Sequence, residues 1–409
     1  MDDGPATGKG RVLPLPPAPD GIELRHLRAF VAVAEELNFG RAASRLYLSQ
    51  PALSRQIRSL ERQVGCDLLR RSTHGVELTV AGDALLDRAR ELLHGVDDAV
   101  SATRAVGGEI AGRLARIWEP VSELATADTD LQELRNATEA LHAQFAPPPE
   151  TTVQPVNTGG VPSLLVTADP GRDATLLFLH GGGYVSGSAF GYRHLAGALA
   201  VAAECGVVVP EYRLAPEHPF PAAIEDALRA YVWMLDSGTR PDRVTLAGDS
   251  SGGGLALSLL IRLTQEGLPL PGGAVLLSPG IDLTFEQLDD PPDGQASLSV
   301  EQMRSFAASY LGGHPADDPL VSPLHADLTG LPPLLVQGGT GDLVVVDAHR
   351  LAARARDQGV DVHLELYPAD THDFQVFWSF LPEASDALKQ AGRFAREVAT
   401  GPEAHRASS

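Results

Sequence analysis

The sequence predicts an α/β fold, a mostly parallel sheet covered by helices, preceded by a separate helical region. Three observations predict it. From about Thr175 short apolar runs alternate with longer amphipathic ones, the pattern of strands joined by helical crossovers. One such run, Val244-Thr245-Leu246-Ala247, leads directly into Gly248-Asp249-Ser250-Ser251-Gly252-Gly253 and then into the helix-like run from Leu255 to Leu260. A strand that turns sharply into a helix around Gly-x-Ser-x-Gly lifts the central serine out of the sheet, and glycines are needed where side chains would clash. Residues 21–106, by contrast, read as helical.

A chain of 409 residues suggests two or three domains, and a hydrophobic content of 44% is enough for a normal core. The net charge of −21 excludes a protein that binds nucleic acid over its whole surface. The charge is uneven. Residues 21–95 hold 11 Arg against 9 Asp and Glu, a balance of about +2, so the remainder carries about −23. A mildly basic island in an acidic chain points to a local DNA contact. The two cysteines, Cys66 and Cys205, fall in different expected domains. They argue against a disulfide framework or a thiolate metal site, and both are expected to be buried free thiols. With no basic-then-apolar leader and no apolar run of membrane-spanning length, the expectation is a soluble cytoplasmic protein without membrane contact.

Residues 1–20, rich in Gly, Pro and Asp without periodicity, are expected to be a disordered tail. Leu24, Leu27, Phe30, Val31 and Ala34 then recur at helical spacing. Asn38 to Leu46 reads as a short helix capped by Asn38. After the turn Tyr47-Leu48-Ser49 a second helix begins at Gln50, with Ser49 as cap and Pro51 tolerated in the first turn. Leu53, Ile57 and Leu60 form its buried stripe, which leaves Gln50, Ser54, Arg55 and Arg58 toward solvent. Amides and guanidinium groups on one helix face can read base edges and hold phosphates.

The run Leu48-Ser49-Gln50-Pro51-Ala52-Leu53-Ser54-Arg55-Gln56-Ile57 resembles the winged helix-turn-helix of LysR-type transcriptional regulators. So do Val64 to Arg71 and Val76-Glu77-Leu78-Thr79-Val80-Ala81-Gly82. The resemblance implies double-stranded DNA binding through residues 22–80, with Gln50, Pro51, Ser54, Arg55 and Arg58 as contacts and residues 71–78 as the wing. It also implies a linker helix from about Ala81 to Ala105 that makes a homodimer. It ends near residue 106, and those regulators' effector domain is absent. The bland alternative is that 22–94 is only a helical cap or dimer module.

Residues 107–160 are mixed, with a helical stretch near Asp130 to Phe145 and a break at Pro147-Pro148-Pro149. Strand-like runs follow at Leu176 to Leu179, Gly206 to Val209, Val244 to Ala247, Ala274 to Leu277, Leu334 to Val336 and Val362 to Tyr367. A serine nucleophile needs a base, an orienting carboxylate and an oxyanion hole. His372 follows the last of these runs and Asp342 follows the run around Leu335. The order Ser250, Asp342, His372 resembles that of α/β-hydrolases, and all three lie past strand C-termini, where open α/β sheets place their sites. Asp347 is the other carboxylate at this end, and its place in the following helix argues against it. In His180-Gly181-Gly182-Gly183-Tyr184 the glycines let the backbone aim N–H groups inward, so Gly182, Gly183 and the Ser251 N–H are candidate oxyanion donors. His180, His218, Tyr212 and Arg213 read as structural groups around this loop.

The glycine-rich loop, Gly248 to Gly253, and the segment Glu211-Tyr212-Arg213-Leu214-Ala215-Pro216-Glu217-His218-Pro219-Phe220-Pro221-Ala222 together resemble the hormone-sensitive-lipase-like esterases over about residues 108–400. The resemblance implies an α/β-hydrolase with an N-terminal helical cap and no cofactor or metal. It implies activity on carboxylic esters with short to medium acyl chains. By motif match Ser250 is the nucleophile, Asp342 the acid and His372 the base. Two departures stand out: Ser251 replaces the usual alanine, and Leu343-Val344 replaces the frequent Pro-Leu after the acid.

The expected chain is thus a tail (1–20), a winged helix-turn-helix domain (21–80), a linker or dimerisation helix (81–107), a helical cap (108–155), an α/β-hydrolase domain (156–400) and a tail (401–409). The expected function is serine ester hydrolysis on a chain with a DNA-binding head. The alternative is a LysR-like regulator whose hydrolase domain senses a small ester.

Overall fold

The computed structural model describes residues 21–46, 48–72, 75–125, 130–169, 174–288 and 298–400. Both expected tails, Tyr47 of the expected turn and residues 73 and 74 of the expected wing lie outside the described residues. The chain divides into two compact units, residues 1–109 and 110–409.

In the first unit three helices, α1 (Leu24–Glu36), α2 (Phe39–Arg45) and α3 (Gln50–Val64), close on one core. Asn38 Oδ1 accepts from the N–H groups of Gly40 and Arg41 at 2.8 and 3.0 Å, the capping that its sequence position suggests. Pro51 sits in the first turn of α3, where its missing N–H breaks no helical bond. Leu27, Phe30, Leu53, Ile57 and Leu60 are buried together, while Leu24, at the first position of α1, is exposed. β1 (Leu69–Ser72) and β2 (Gly75–Leu78) pair antiparallel. Cys66 is exposed, not buried as expected, because it lies past the left-handed Gly65 that ends α3 and so off the buried stripe. Cys205 is a buried free thiol.

The helix expected over 81–105 runs as α4 from Val80 to Leu124. Gly107 and Gly108, each of which weakens a helix by about 1 kcal/mol relative to alanine, lie inside it. Leu86 and Ala89 join the core of the first unit, and Ile117 and Val121 join that of the second. Pro120 is carried inside the last turns.

The second unit continues with α5 (Leu131–His142), capped by Asp130 Oδ1 accepting from the Gln132 N–H at 2.8 Å. β3 (Thr152–Thr158) and β4 (Val161–Thr167) form an antiparallel pair. Then come β5 (Ala174–Leu179), α6 (Arg193–Ala203), β6 (Gly206–Pro210), α7 (Ala222–Asp236), β7 (Thr245–Asp249), α8 (Ser251–Glu266) and β8 (Gly273–Leu277). The chain closes with α9 (Val300–Leu311), β9 (Leu334–Gly339), α10 (Val345–Asp357), β10 (Val362–Tyr367) and α11 (Pro382–Thr400). The sheet order is β10-β9-β8-β7-β5-β6-β4-β3, parallel from β10 to β6 and antiparallel beyond. β6, β7, β8 and β9 are buried along their whole length, as parallel strands covered on both faces must be. The β3 edge tolerates Pro155, which cannot donate to a neighbour.

Candidate active site

β7 ends at Asp249 and α8 begins at Ser251, so Ser250 is the whole connection. Its φ of 50° and ψ of −122° form a conformation that side-chain-bearing residues rarely adopt. The helix can start this close to the sheet because position 252 is glycine. A Cβ there would stand 2.1 Å from the Leu179 carbonyl oxygen.

His372 lies in the loop after β10. Its Nε2 is 2.8 Å from Ser250 Oγ, and its Nδ1 is 3.0 Å from each carboxylate oxygen of Asp342, in the turn after β9. The Asp342 side chain is only 1% exposed and that of His372 11%. Asp347 pairs instead with Arg350 at 3.2 Å within α10. Gly182, Gly183 and Ser251 line the same cavity of about 90 Å³ as Ser250 and His372. Their N–H groups meet no acceptor among the described residues. Gly182 has φ 112°, and a Cβ there would lie 2.2 Å from the Ser186 carbonyl oxygen, so only glycine fits the loop.

The loop is held from several sides. Tyr212 donates its hydroxyl to the His180 carbonyl at 2.7 Å and stacks on the His180 ring at 4.2 Å. Burial pushes the His180 imidazole down to about 4, so it is neutral. Arg135 of α5 donates to the Val185 and Ala215 carbonyls at 2.9 and 3.1 Å and forks onto Glu217 at 2.8 and 2.7 Å. That fork holds the Glu217 carboxyl down at about 2. Arg213 is fixed by Asp226, at 2.8 Å.

Asp249 and Asp373, buried neighbours in sequence of Ser250 and His372, were not singled out from the sequence. Asp373 Oδ2 is 3.5 Å from His372 Nε2. Burial alone would lower the His372 ring, but Asp342, Asp373 and Asp249 carry it to about 10. Burial pushes Asp373 up to about 7 against the pull of His372. Burial and the Asp373 charge push Asp249 well up. The only signal in the sequence was adjacency to the serine and histidine.

The residues that close the cavity were also not legible. Trp118 and Val121 of α4 line it, with Leu134 and His142 of α5 and Met303 and Phe306 of α9. Trp118 Nε1 donates to Thr371 Oγ1 at 2.9 Å, beside His372 in the chain. Among the described residues no cluster of three or more His, Cys, Asp or Glu is placed to hold a metal ion. On α3, Gln50, Pro51, Arg55 and Arg58 are exposed and Ser54 is half-buried. No described helix is long and apolar enough to cross a membrane.

Residues 176–376 match the model of the alpha/beta hydrolase fold, and residues 24–83 match that of bacterial regulatory helix-turn-helix proteins of the lysR family. The chain is 44% identical over 229 residues to an acetyl-hydrolase of Streptomyces hygroscopicus, covering 56% of this chain and 76% of that one. A crystal structure of an esterase from the bacterial hormone-sensitive lipase family superposes with a TM-score of 0.66 at 39% identity, covering 70% of this chain and 98% of the other. At the other end, 93 residues are 55% identical to an HTH-type transcriptional regulator of Escherichia coli (strain K12), covering 23% of this chain and 31% of that protein.

Proposed function

Because the chain belongs to the hormone-sensitive-lipase family of α/β-hydrolases, is a carboxylesterase-like hydrolase and carries a lysR-family helix-turn-helix domain, we propose that Ser250, His372 and Asp342 hydrolyse short- to medium-chain acyl esters on a chain that also binds DNA. The observation that carries the reading is the unbroken line from Ser250 Oγ through the His372 ring to Asp342, at 2.8 and 3.0 Å.

His372 Nε2 takes the serine proton as Oγ attacks the ester carbonyl. Asp342 holds the ring in the tautomer with the proton on Nδ1 and stabilises the imidazolium that forms. The N–H groups of Gly182, Gly183 and Ser251 receive the developing oxyanion, each worth about 100-fold or more in rate. The imidazolium returns its proton to the leaving alcohol. Water, activated by the same ring, then cleaves the acyl-enzyme and frees the acid and the serine.

The base must be neutral to work. A ring raised to about 10 therefore places the rising limb of kcat/KM on the alkaline side. Asp373→Asn removes one of the charges that raise it. The limb is then expected to move toward neutrality, lifting the rate at pH 7 by up to about 10-fold, the factor one unit represents. A pH profile from 6 to 10.5 checks this, and an unmoved or more alkaline limb contradicts it.

The working parts are residues 21–80 for DNA, 81–107 for a dimer contact, 108–155 for the cap and 156–400 for catalysis. Leu92, 58% exposed on α4, is an apolar side chain that a second copy can cover. Gln50, Pro51, Ser54, Arg55 and Arg58 face the duplex. Arg55→Ala is expected to weaken binding to a duplex from the flanking promoter by about 5- to 150-fold, with ester turnover unchanged. Fluorescence anisotropy at fixed salt measures it, and equal affinity at every salt concentration contradicts it.

A second reading is that the pocket also serves the head as an ester sensor. It draws on α4, whose early turns bear Leu86 and Ala89 of the first core and whose last turns bear Trp118 and Val121 of the cavity wall. An ester-dependent change in the same DNA affinity is expected from a sensor, and none from a hydrolase alone.

A further inference from the structure

Behind the cavity wall three side-chain rings, linked through their nitrogens, form a row that the hydrolysis does not use. Trp378 Nε1 lies 3.3 Å from His194 Nδ1, and His194 Nε2 lies 3.2 Å from His142 Nδ1. An indole nitrogen can only donate, so His194 Nδ1 accepts and carries no proton. The proton of the neutral His194 ring is therefore on Nε2, which donates to His142 Nδ1. His142 Nδ1 is thus an acceptor too, and its ring keeps its proton on Nε2. Both rings are buried, and burial holds His194 at about 3 and His142 well below the usual imidazole range. A protonated ring at either place would break the row.

His142 lines the cavity in front of Ser250, and its Nε2 has no hydrogen-bond partner among the described residues. The hydroxyls nearby are engaged. Thr138 donates to the Leu134 carbonyl and Ser186 to the Gly182 carbonyl, each at 3.0 Å. The cap side of the wall is otherwise largely apolar, with Trp118, Val121 and Leu134. A fixed donor in such a cavity is poorly satisfied by a purely alkyl ligand. A carboxylate suits it no better, since a neutral imidazole leaves a buried negative charge uncompensated.

We propose that His142 is a specificity-determining residue whose Nε2–H receives a second, uncharged acceptor oxygen of the substrate, so that the site takes oxygenated esters rather than simple alkyl ones. This rests on the ester-hydrolysis reading above. The oxygen can lie on the acyl or the alcohol side, and matched pairs of equal length test both. They are p-nitrophenyl 3-methoxypropionate against p-nitrophenyl pentanoate, and 2-methoxyethyl acetate against butyl acetate. The readout is the ratio of kcat/KM within each pair, compared between the full-length wild type and His142→Phe, which cancels the intrinsic reactivity of the esters. In one pair the wild type is expected to favour the ether-bearing ester by about 10-fold more than the variant does.

Trp378→Phe keeps the His142 ring but removes the donor that sets the direction of the row. It is expected to lose part of the same preference, and it carries the test if His142→Phe does not fold. Equal ratios in wild type and variants for both pairs, with the alkyl esters still turned over, overturn the role of His142 alone. Failure of the wild type to cleave any of the four esters overturns the hydrolase reading and this one with it.

Discussion

Replacing Ser250 with alanine is expected to lower kcat for a short p-nitrophenyl ester by about 10⁶-fold, to a residue set by the oxyanion donors and binding alone. The size of the effect follows from what one oxygen does. Without Oγ no acyl-enzyme forms, and His372 has only water to activate in a cavity shaped for a serine attack. The fold is expected to survive. The side chain loses one atom, its hydroxyl is partnered by His372 alone among the described residues, and alanine meets the same backbone strain at φ 50° that serine already bears. The unfolding free energy should change by no more than about 1 kcal/mol. Steady-state turnover beside a denaturant titration separates the two quantities. Unchanged turnover removes Ser250 from the mechanism.

The second large effect is expected at Asp342. Asp342→Asn preserves shape but replaces an acceptor-only group with one that can also donate, so the ring loses its fixed tautomer and the imidazolium loses its counter-charge. The expected loss in kcat is about 10⁴-fold. KM should move little, because Asp342 lies behind the histidine, 1% exposed. Asp347→Asn is the matched control. Its carboxylate is bound to Arg350, and its loss is expected to change kcat by less than about 10-fold. If the two variants exchange these outcomes, the orienting carboxylate is Asp347.

Some of this was legible in the sequence because local rules produce it. The strands of the sheet core are short apolar runs that need no partner to be recognised. Asn38, Ser49 and Pro51 mark helix starts through their own backbone chemistry. Ser250, Asp342 and His372 could be picked out because each stands just past such a run. The β3–β4 pair was missed: Pro155 and the polar Gln154 and Asn157 blur its pattern, and an edge strand is under little pressure to look apolar. The full length of α4 was missed because the resemblance that suggested its first part stops near residue 106, while Ile117 and Val121 farther along it join a core built by residues distant in the chain. Asp249, Asp373, Trp118 and His142 share that origin. Their roles come from neighbours brought in by the fold, such as Thr371 for Trp118, 253 positions away. No spacing rule reaches that far.

The proposed mechanism requires Ser250 to be the group that becomes acylated. Treating the full-length chain with a fluorophosphonate probe tests it most directly, since attack by an activated serine forms a stable oxygen–phosphorus bond and expels fluoride. Peptide mass spectrometry is expected to find the adduct on Ser250, at full occupancy, and to lose it in His372→Ala. An adduct on another residue such as Ser251, or an enzyme that keeps full ester turnover while Ser250 is fully modified, would rule Ser250 out as the nucleophile.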